Sequence, residues 1–348
     1  MRVGIIGAGK ISDTHVENYK AIGVEVIAIT DRFPEGARVK AEKYDIPRVY
    51  ETLDALLADP EVDAVSIATP VSTHKELSIA ALRAGKHVIC EKPPAMTADD
   101  IREMIIARNV SGKVLLFGFV CRYKNRVQAL RKAYMSGRLG RAIVGEAGRL
   151  YRNSNPGGWF SDRRFTKGGT VFDAAIHEID ELLYVLGYPK IKSVRAFLGY
   201  ENSDLSVRLS SVKQNYVSES KGDFRNDVET SATIFAVTED GVPLILRATS
   251  ATGTVEEGPY VKLTCANGGG NIIGHNAVPL ALLTLDADGF HTEEIGETEK
   301  PFTAQLAHFV DCVENGTAPI APAEEALALM KFYDAVYQSA AEGREVLL

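Results

Sequence analysis

The sequence predicts an α/β protein in two parts. An N-terminal, doubly wound parallel sheet is followed by an α/β domain with a large open, mainly antiparallel sheet. Three observations predict this. Short apolar runs alternate with helix-length amphipathic segments as far as Phe119. Past Ile191, strand-like runs succeed one another with only Gly, Asn and Asp turns between them. The chain has 348 residues, enough for two sizeable cores. The expected domains are residues 1–121 and 122–348.

The elements justify this in order. Val3-Gly4-Ile5-Ile6 is a strand-length run, and a helical pattern follows through His15 and Tyr19. Val24 to Thr30 is the second strand. Ala37 to Tyr44 reads as a helix, Val49-Tyr50 as a short strand and Leu53 to Leu57 as a short helix. Asp63 to Ala68 is a strand ending at Thr69-Pro70. His74 to Ala84 is a helix closed by Gly85, a favourable C-cap. The strand His87-Val88-Ile89-Cys90 leads into Glu91-Lys92-Pro93-Pro94, where two prolines forbid further strand or immediate helix. A helix over Thr97 to Asn109 and a strand over Val114 to Phe119 complete the alternation.

The second part opens with a helix over Val127 to Ser136, ended by Gly137 and Gly140. A long polar loop, Arg152 to Arg164, carries the only Trp of the chain, Trp159. Gly168-Gly169 precede a helix for which Thr170 is the expected N-cap. Its 3.6-residue period puts Phe172, Ala175, Ile176, Ile179 and Leu182 on one face. Asp173, His177, Asp180 and Tyr184 share the opposite, polar face, and the two glycines are expected to leave room for a ligand. Strands then read over Ile191 to Tyr200, Asp204 to Val217, Val228 to Glu239, Val242 to Thr249, Tyr260 to Ala266 and Leu280 to Asp286. Helices over Thr303 to Asn315 and Ala323 to Ala341 close the chain.

Composition narrows the function. Hydrophobic content is 45% and charged content 24%, as in soluble globular proteins. A formal net charge of −7 without a long basic run argues against a nucleic-acid partner. No stretch has membrane-spanning length, and the N-terminus enters a strand directly, so a cytoplasmic location is expected and a membrane is not. Cys90, Cys121, Cys265 and Cys312 form no CxxC pair, so neither a disulfide framework nor a metal site is expected.

The chemistry is concentrated at the strand ends. Gly7-Ala8-Gly9-Lys10-Ile11-Ser12 is a G-x-G-x-x-S turn between strand and helix, one step from the dinucleotide fingerprint. The first glycine allows the tight turn, and the second lets backbone approach a pyrophosphate at the helix N-terminus. Asp31, at the tip of the second strand, stands where an acid holds a ribose diol. Thr69-Pro70 and Glu91-Lys92 end later strands and so share that sheet edge. On the other helix, a carboxylate at Asp173 precedes His177 by one turn and can orient it.

These motifs together resemble the Gfo/Idh/MocA oxidoreductase family. Gly7 to His15, Ala68-Thr69-Pro70 with His74, Glu91-Lys92-Pro93, Gly168 to His177, Asp227-Val228-Glu229 and the C-terminal pattern from Phe309 to Gly343 carry the similarity from end to end. The resemblance implies a Rossmann domain, then an α/β domain whose open sheet makes oligomer contacts. It implies oxidation or reduction of a secondary alcohol of a sugar, sugar derivative or cyclitol such as an inositol with NAD, NADP remaining possible because Arg32 sits beside Asp31. Cofactor contacts are then expected from Gly7, Gly9, Lys10, Ile11, Ser12, Asp31, Arg32, Thr69, Pro70, His74, Glu91 and Lys92. Lys92 would hold the reacting oxygen, His177 exchange its proton and Asp173 support the site. Substrate contacts are expected from Lys92, Arg122, Trp159, Arg163, Asp173 and His177. The resemblance also implies a cis Lys92–Pro93 bond, which would aim the lysine. Thr170 stands where the family often has a third Gly, which would narrow the pocket.

Two alternatives stay open. Some relatives cleave glycosides through transient oxidation by a retained NAD, and others only sense a dinucleotide or sugar. The alternation of Ile234 and Ala236 against Phe235 and Val237 gives a sheet apolar on both faces. A homodimer or homotetramer joined through that sheet is therefore expected.

Overall fold

The computed structural model describes residues 1–152, 154, 156–201, 223–250, 253–274, 278–298 and 300–348. The strand expected over Asp204 to Val217, and Asn153 and Asn155 of the polar loop, lie outside the described residues. The chain forms two compact units, Met1–Tyr123 with Lys300–Leu327, and Lys124–Glu299 with Ala328–Leu348.

The first unit is a six-stranded sheet in the order β3-β2-β1-β4-β5-β6. Its strands are β1 (Arg2–Ile6), β2 (Glu25–Thr30), β3 (Arg48–Tyr50), β4 (Ala64–Ile67), β5 (His87–Cys90) and β6 (Leu115–Phe117). Every pair is parallel. The order reverses between β1 and β4, and a crevice at such a switch point is where open α/β sheets take ligands. The crossovers are α1 (Lys10–Ala21), α2 (Pro34–Tyr44), α3 (Leu53–Ala58), α4 (His74–Arg83) and α5 (Ala98–Ser111). Their ends obey local chemistry. Pro34 occupies the first turn of α2, and Thr97 and Asp100 form a reciprocal capping box on α5. The helix Pro301–Asn315 joins this unit because Leu306, Phe309 and Cys312 pack into the core with Val3, Ile5 and Tyr19. Sequence order alone hides that return.

The second unit is a nine-stranded sheet, β14-β13-β12-β11-β7-β10-β9-β8-β15. The strands are β7 (Ala142–Leu150), β8 (Ile191–Gly199), β9 (Ser231–Thr238), β10 (Pro243–Thr249), β11 (Gly258–Cys265), β12 (Gly268–Ile273), β13 (Leu280–Asp286), β14 (Gly289–Ile295) and β15 (Val346–Leu347). It is antiparallel except for β7 and β10, which pair in parallel. The sequence reading does not contain β7, β12, β14 or β15. β7 sits between β11 and β10, yet Gly145 and Gly148 break its apolar pattern. Both glycines answer to packing. A Cβ at Gly148 would lie 2.4 Å from the Arg247 carbonyl oxygen, and one at Gly145 would lie 2.9 Å from Leu244.

The helices α6 (Asn125–Met135) and α7 (Ile176–Val185) cover the inner face of this sheet. Ile234 and Ala236 point inward and are buried, while Phe197, Phe235, Leu283 and Leu285 are exposed. The expected helix from Thr170 is corrected in two ways. A π-helical turn, Thr170–Ala174, precedes α7, and no side chain caps it. Its polar face is divided: Asp173 and His177 are partly exposed, whereas Asp180 and Tyr184 are buried, and Asp180 accepts a hydrogen bond from the Tyr188 hydroxyl at 2.5 Å.

Candidate active site

The parallel register builds the first half of the site. Ile6 is level with Thr30 and Ile67, and Ile67 with Cys90. The next residues, Gly7, Asp31, Ala68 and Glu91, therefore form a row along the carboxyl edge. The ladder runs one step into that row: Gly7 N–H donates to Thr30, Ala68 to Ile6 and Glu91 to Ile67. Gly7 has φ +106°, and a Cβ there would lie 2.4 Å from the Ala68 carbonyl oxygen, so only glycine serves. Gly9 is different. A Cβ on it would meet no protein atom within 4 Å, so its lack of a side chain keeps space clear over the turn. No side chain caps α1 at Gly9, and buried Ser12 donates its hydroxyl to the Gly9 carbonyl at 2.6 Å. A cleared turn at a helix N-terminus fits a pyrophosphate.

Asp31 is fixed by backbone. Its two carboxylate oxygens accept N–H bonds from Ala8 and Phe33, each at 2.7 Å. Each oxygen keeps a lone pair for a further donor, which suits a ribose diol. Arg32 is exposed, its guanidinium 5.7 Å from the Phe33 ring centre. Thr69 shares a 2.8 Å hydroxyl contact with Thr73.

Lys92 sits on a turn held from both sides. The Lys92–Pro93 bond is cis. Glu91, buried behind it, receives His15 Nε2 at 2.8 Å and the Lys92 N–H at 3.1 Å. Burial pushes the Glu91 carboxyl up, but the His15 bond and the Lys92 charge override it and hold the group below its ordinary range. Glu91 and His74, both expected at the cofactor, are buried and bonded to protein groups. His74 is fully buried, with Nδ1 2.8 Å from the Pro93 carbonyl oxygen and Nε2 2.8 Å from that of Thr69. It ties the turn after β4 to the turn after β5. In the sequence His15 is only the end of the glycine-turn motif; the fold brings it to Glu91.

Arg122, expected to contact substrate, is enclosed by protein. It is fully buried, stacked 4.9 Å from the Phe119 ring centre, donates to the Ile320 carbonyl and pairs with Glu325.

In the second unit, Asp173 lies within the π-helical turn and His177 in the first turn of α7, both partly exposed. The turn hangs on Glu229. Oε1 of Glu229 accepts Gly169 N–H at 2.8 Å, Val171 N–H at 3.2 Å and the Tyr337 hydroxyl at 3.1 Å. Burial pushes its carboxyl above the ordinary range despite these bonds. Packing here requires the pair Gly168-Gly169. A Cβ on Gly168 would lie 1.6 Å from the Tyr337 hydroxyl, and one on Gly169 would lie 2.3 Å from the Glu229 carbonyl oxygen. Trp159 and Phe160 stack at 3.6 Å. Arg163 donates to the Asp227 carbonyl and to the Tyr200 hydroxyl, which ties it to the segment leading to Glu229.

Comparison with known proteins agrees with these two halves. Residues 1–119 match the oxidoreductase family with an NAD-binding Rossmann fold, and residues 127–269 match the GFO/IDH/MocA C-terminal domain. The chain is 30% identical over 349 residues to the 1,5-anhydro-D-fructose reductase of Ensifer adhaerens, covering 99% of this chain and 97% of that one. It therefore belongs to the Gfo/Idh/MocA family, and its first unit is an NAD-binding Rossmann domain. A D-glucoside 3-dehydrogenase of Escherichia coli K12 is 40% identical over 199 residues, 56% of this chain and 57% of that protein. That match thus spans little more than half of the relative's length. An oxidoreductase domain protein from Kribbella flavida superposes with a TM-score of 0.85 at 21% identity, covering 99% and 98% of the two chains. This last likeness supports the fold.

Proposed function

We propose that the protein is an NAD-dependent dehydrogenase that oxidises a secondary alcohol of a sugar, a sugar derivative or a cyclitol. The observation that carries the reading is Lys92, set by the His15–Glu91 pair on the cofactor edge of a dinucleotide-binding sheet. Gly7, Gly9, Ile11 and Asp31 hold the cofactor, which supplies the hydride acceptor when bound. Asp31 favours NAD, because a 2′-phosphate would meet its carboxylate. The Lys92 ammonium binds the substrate oxygen and stabilises charge developing there. His177 takes the hydroxyl proton, starting neutral, and Asp173 supports that transfer. Trp159 and its stacked neighbour Phe160 offer an apolar face of the kind sugar rings pack on. The open outer face of the second sheet, with Phe197 and Phe235, joins copies into a homodimer or homotetramer.

A turnover screen of polyols, aldoses, inositols and uronates with both cofactors tests the reading. Formation of NADH with at least one polyol is the expected result. Hydrolysis of a glycoside without net NADH would instead favour the transient-oxidation chemistry, and dinucleotide binding with no turnover would favour a sensor.

A further inference from the structure

Beside Asp173 the second unit has a small recess of about 20 Å³, lined by Ser154, Phe160, Thr170, Asp173, Ala174 and Ser250 among others. Two hydroxyl oxygens at this recess are buried without a hydrogen-bond partner, Oγ1 of Thr170 and Oγ of Ser154. Thr170 is 4% exposed. Thr170 opens the π-helical turn, so no preceding helical turn offers its hydroxyl a carbonyl. Burying a hydroxyl unpaired is costly, so two together point to an absent partner.

The recess is rigidly framed. Thr170 N–H donates to the Glu229 carbonyl at 3.1 Å, and the Thr170 carbonyl accepts from Ala175 at 2.9 Å. Ser154 N–H donates to the Ser250 carbonyl at 3.0 Å, and Ser250 N–H to Thr230 at 2.9 Å. The volume matches about one oxygen-sized group and excludes a sugar ring. Among the described residues no cationic side chain lines it, so an anion is disfavoured. An apolar group would leave both oxygens unpaired. A hydroxyl can donate to one and accept from the other.

We infer that Thr170 and Ser154 form a hydroxyl-sized subsite beside Asp173 that takes one hydroxyl of the polyol substrate and discriminates against analogues lacking it. The inference rests on the functional reading above and adds a specificity determinant to it. Thr170, at a position where the resemblance leads one to expect glycine, supplies a donor that glycine cannot.

The test compares kcat/KM for the best polyol of the turnover screen with that for each of its monodeoxy analogues. The proteins are the wild type, Thr170→Val, Thr170→Ser and Ser154→Ala. The wild type should reject one deoxy analogue by about tenfold or more, since that analogue leaves buried hydroxyls unpaired. Thr170→Val keeps the shape and removes the hydroxyl, so the ratio should fall toward one at that position alone. Ser154→Ala should lower it in the same sense, and Thr170→Ser should retain it. If Thr170→Val and Ser154→Ala both reject every analogue as the wild type does, the recess holds only a water and the inference is overturned. If the folded, NAD-binding wild type turns over no polyol, the functional reading and this inference fall together.

Discussion

Glu91 and Glu229 are both buried glutamates beneath a turn that carries a proposed site residue, one in each unit. Their carboxyls are driven in opposite directions. Glu91 faces an imidazole and lies near an ammonium, so it is held ionised below the ordinary carboxylate range. Glu229 faces two peptide N–H groups and a phenol, all neutral, and burial wins, so it is held above that range. Burial alone therefore does not set the charge of a supporting carboxylate; the charge of its partners does. The first turn presents a cation, and an anion behind it keeps Lys92 in a complementary field. The second turn needs only acceptors for backbone donors, and Glu229 supplies one without a cation beside it.

The largest expected effect lies at the first turn. Lys92→Ala should lower kcat by about 10²- to 10³-fold while NADH affinity stays near normal, because the lost contact strengthens as charge builds on oxygen. Steady-state kinetics with cofactor affinity measured separately decides this. His177→Ala should lower kcat by about 10²- to 10⁴-fold and remove the rise of rate with pH that proton acceptance by a neutral imidazole requires.

Next in size is the cofactor edge. Asp31→Ser removes a charged acceptor and should weaken NADH binding by about 10- to 100-fold while relieving repulsion of NADPH. Fluorescence titration with both cofactors reads the shift, and a wild type that binds NADPH as tightly as NADH would remove the role given to Asp31.

Smaller effects sharpen the contrast between the two glutamates directly. The folded-state pKa of Glu91 is depressed, so its contribution to stability is present above the unfolded value near 4.5 and is lost as pH falls through the folded one. The sign is reversed for Glu229. Its raised value makes stability greatest below about the same unfolded value of 4.5, and stability declines as pH rises from there toward the folded pKa. Thermal unfolding across pH should show Glu91→Gln losing stability relative to wild type mainly on the neutral side. Glu229→Gln should gain relative to wild type over that interval. The same slope in both variants would dissolve the comparison. If the open sheet face joins copies as proposed, the wild type should scatter light as a dimer or tetramer and Phe235→Asp should shift it toward monomer, with little change in the folded protomer.

Legibility in the sequence followed the range of the interactions. The parallel sheet was readable because each strand, turn and helix announces itself locally, and Gly7, Asp31 and Lys92 lie at the ends of such strands. β7 was not, because the glycines that let Arg247, Leu182 and Leu244 approach also erase the strand's apolar pattern. The support beneath the two turns was largely illegible for a similar reason. His15 meets Glu91 and Tyr337 meets Glu229 across long stretches of chain, and no local spacing encodes those pairs. Arg122 follows a Rossmann strand just as a pocket residue would, and its burial and its partners Ile320 and Glu325 come from distant chain that no local spacing encodes.

Net oxidation of a polyol hydroxyl with release of reduced cofactor separates the proposed dehydrogenase from a glycosidase and from a sensor. The most direct measurement is the stoichiometry of a single incubation of wild-type protein with NAD and the best polyol of the screen, quantifying carbonyl product and free NADH together. One NADH accumulating per carbonyl formed is the predicted result. Polyol consumed or a glycoside cleaved while free NADH never accumulates would contradict it.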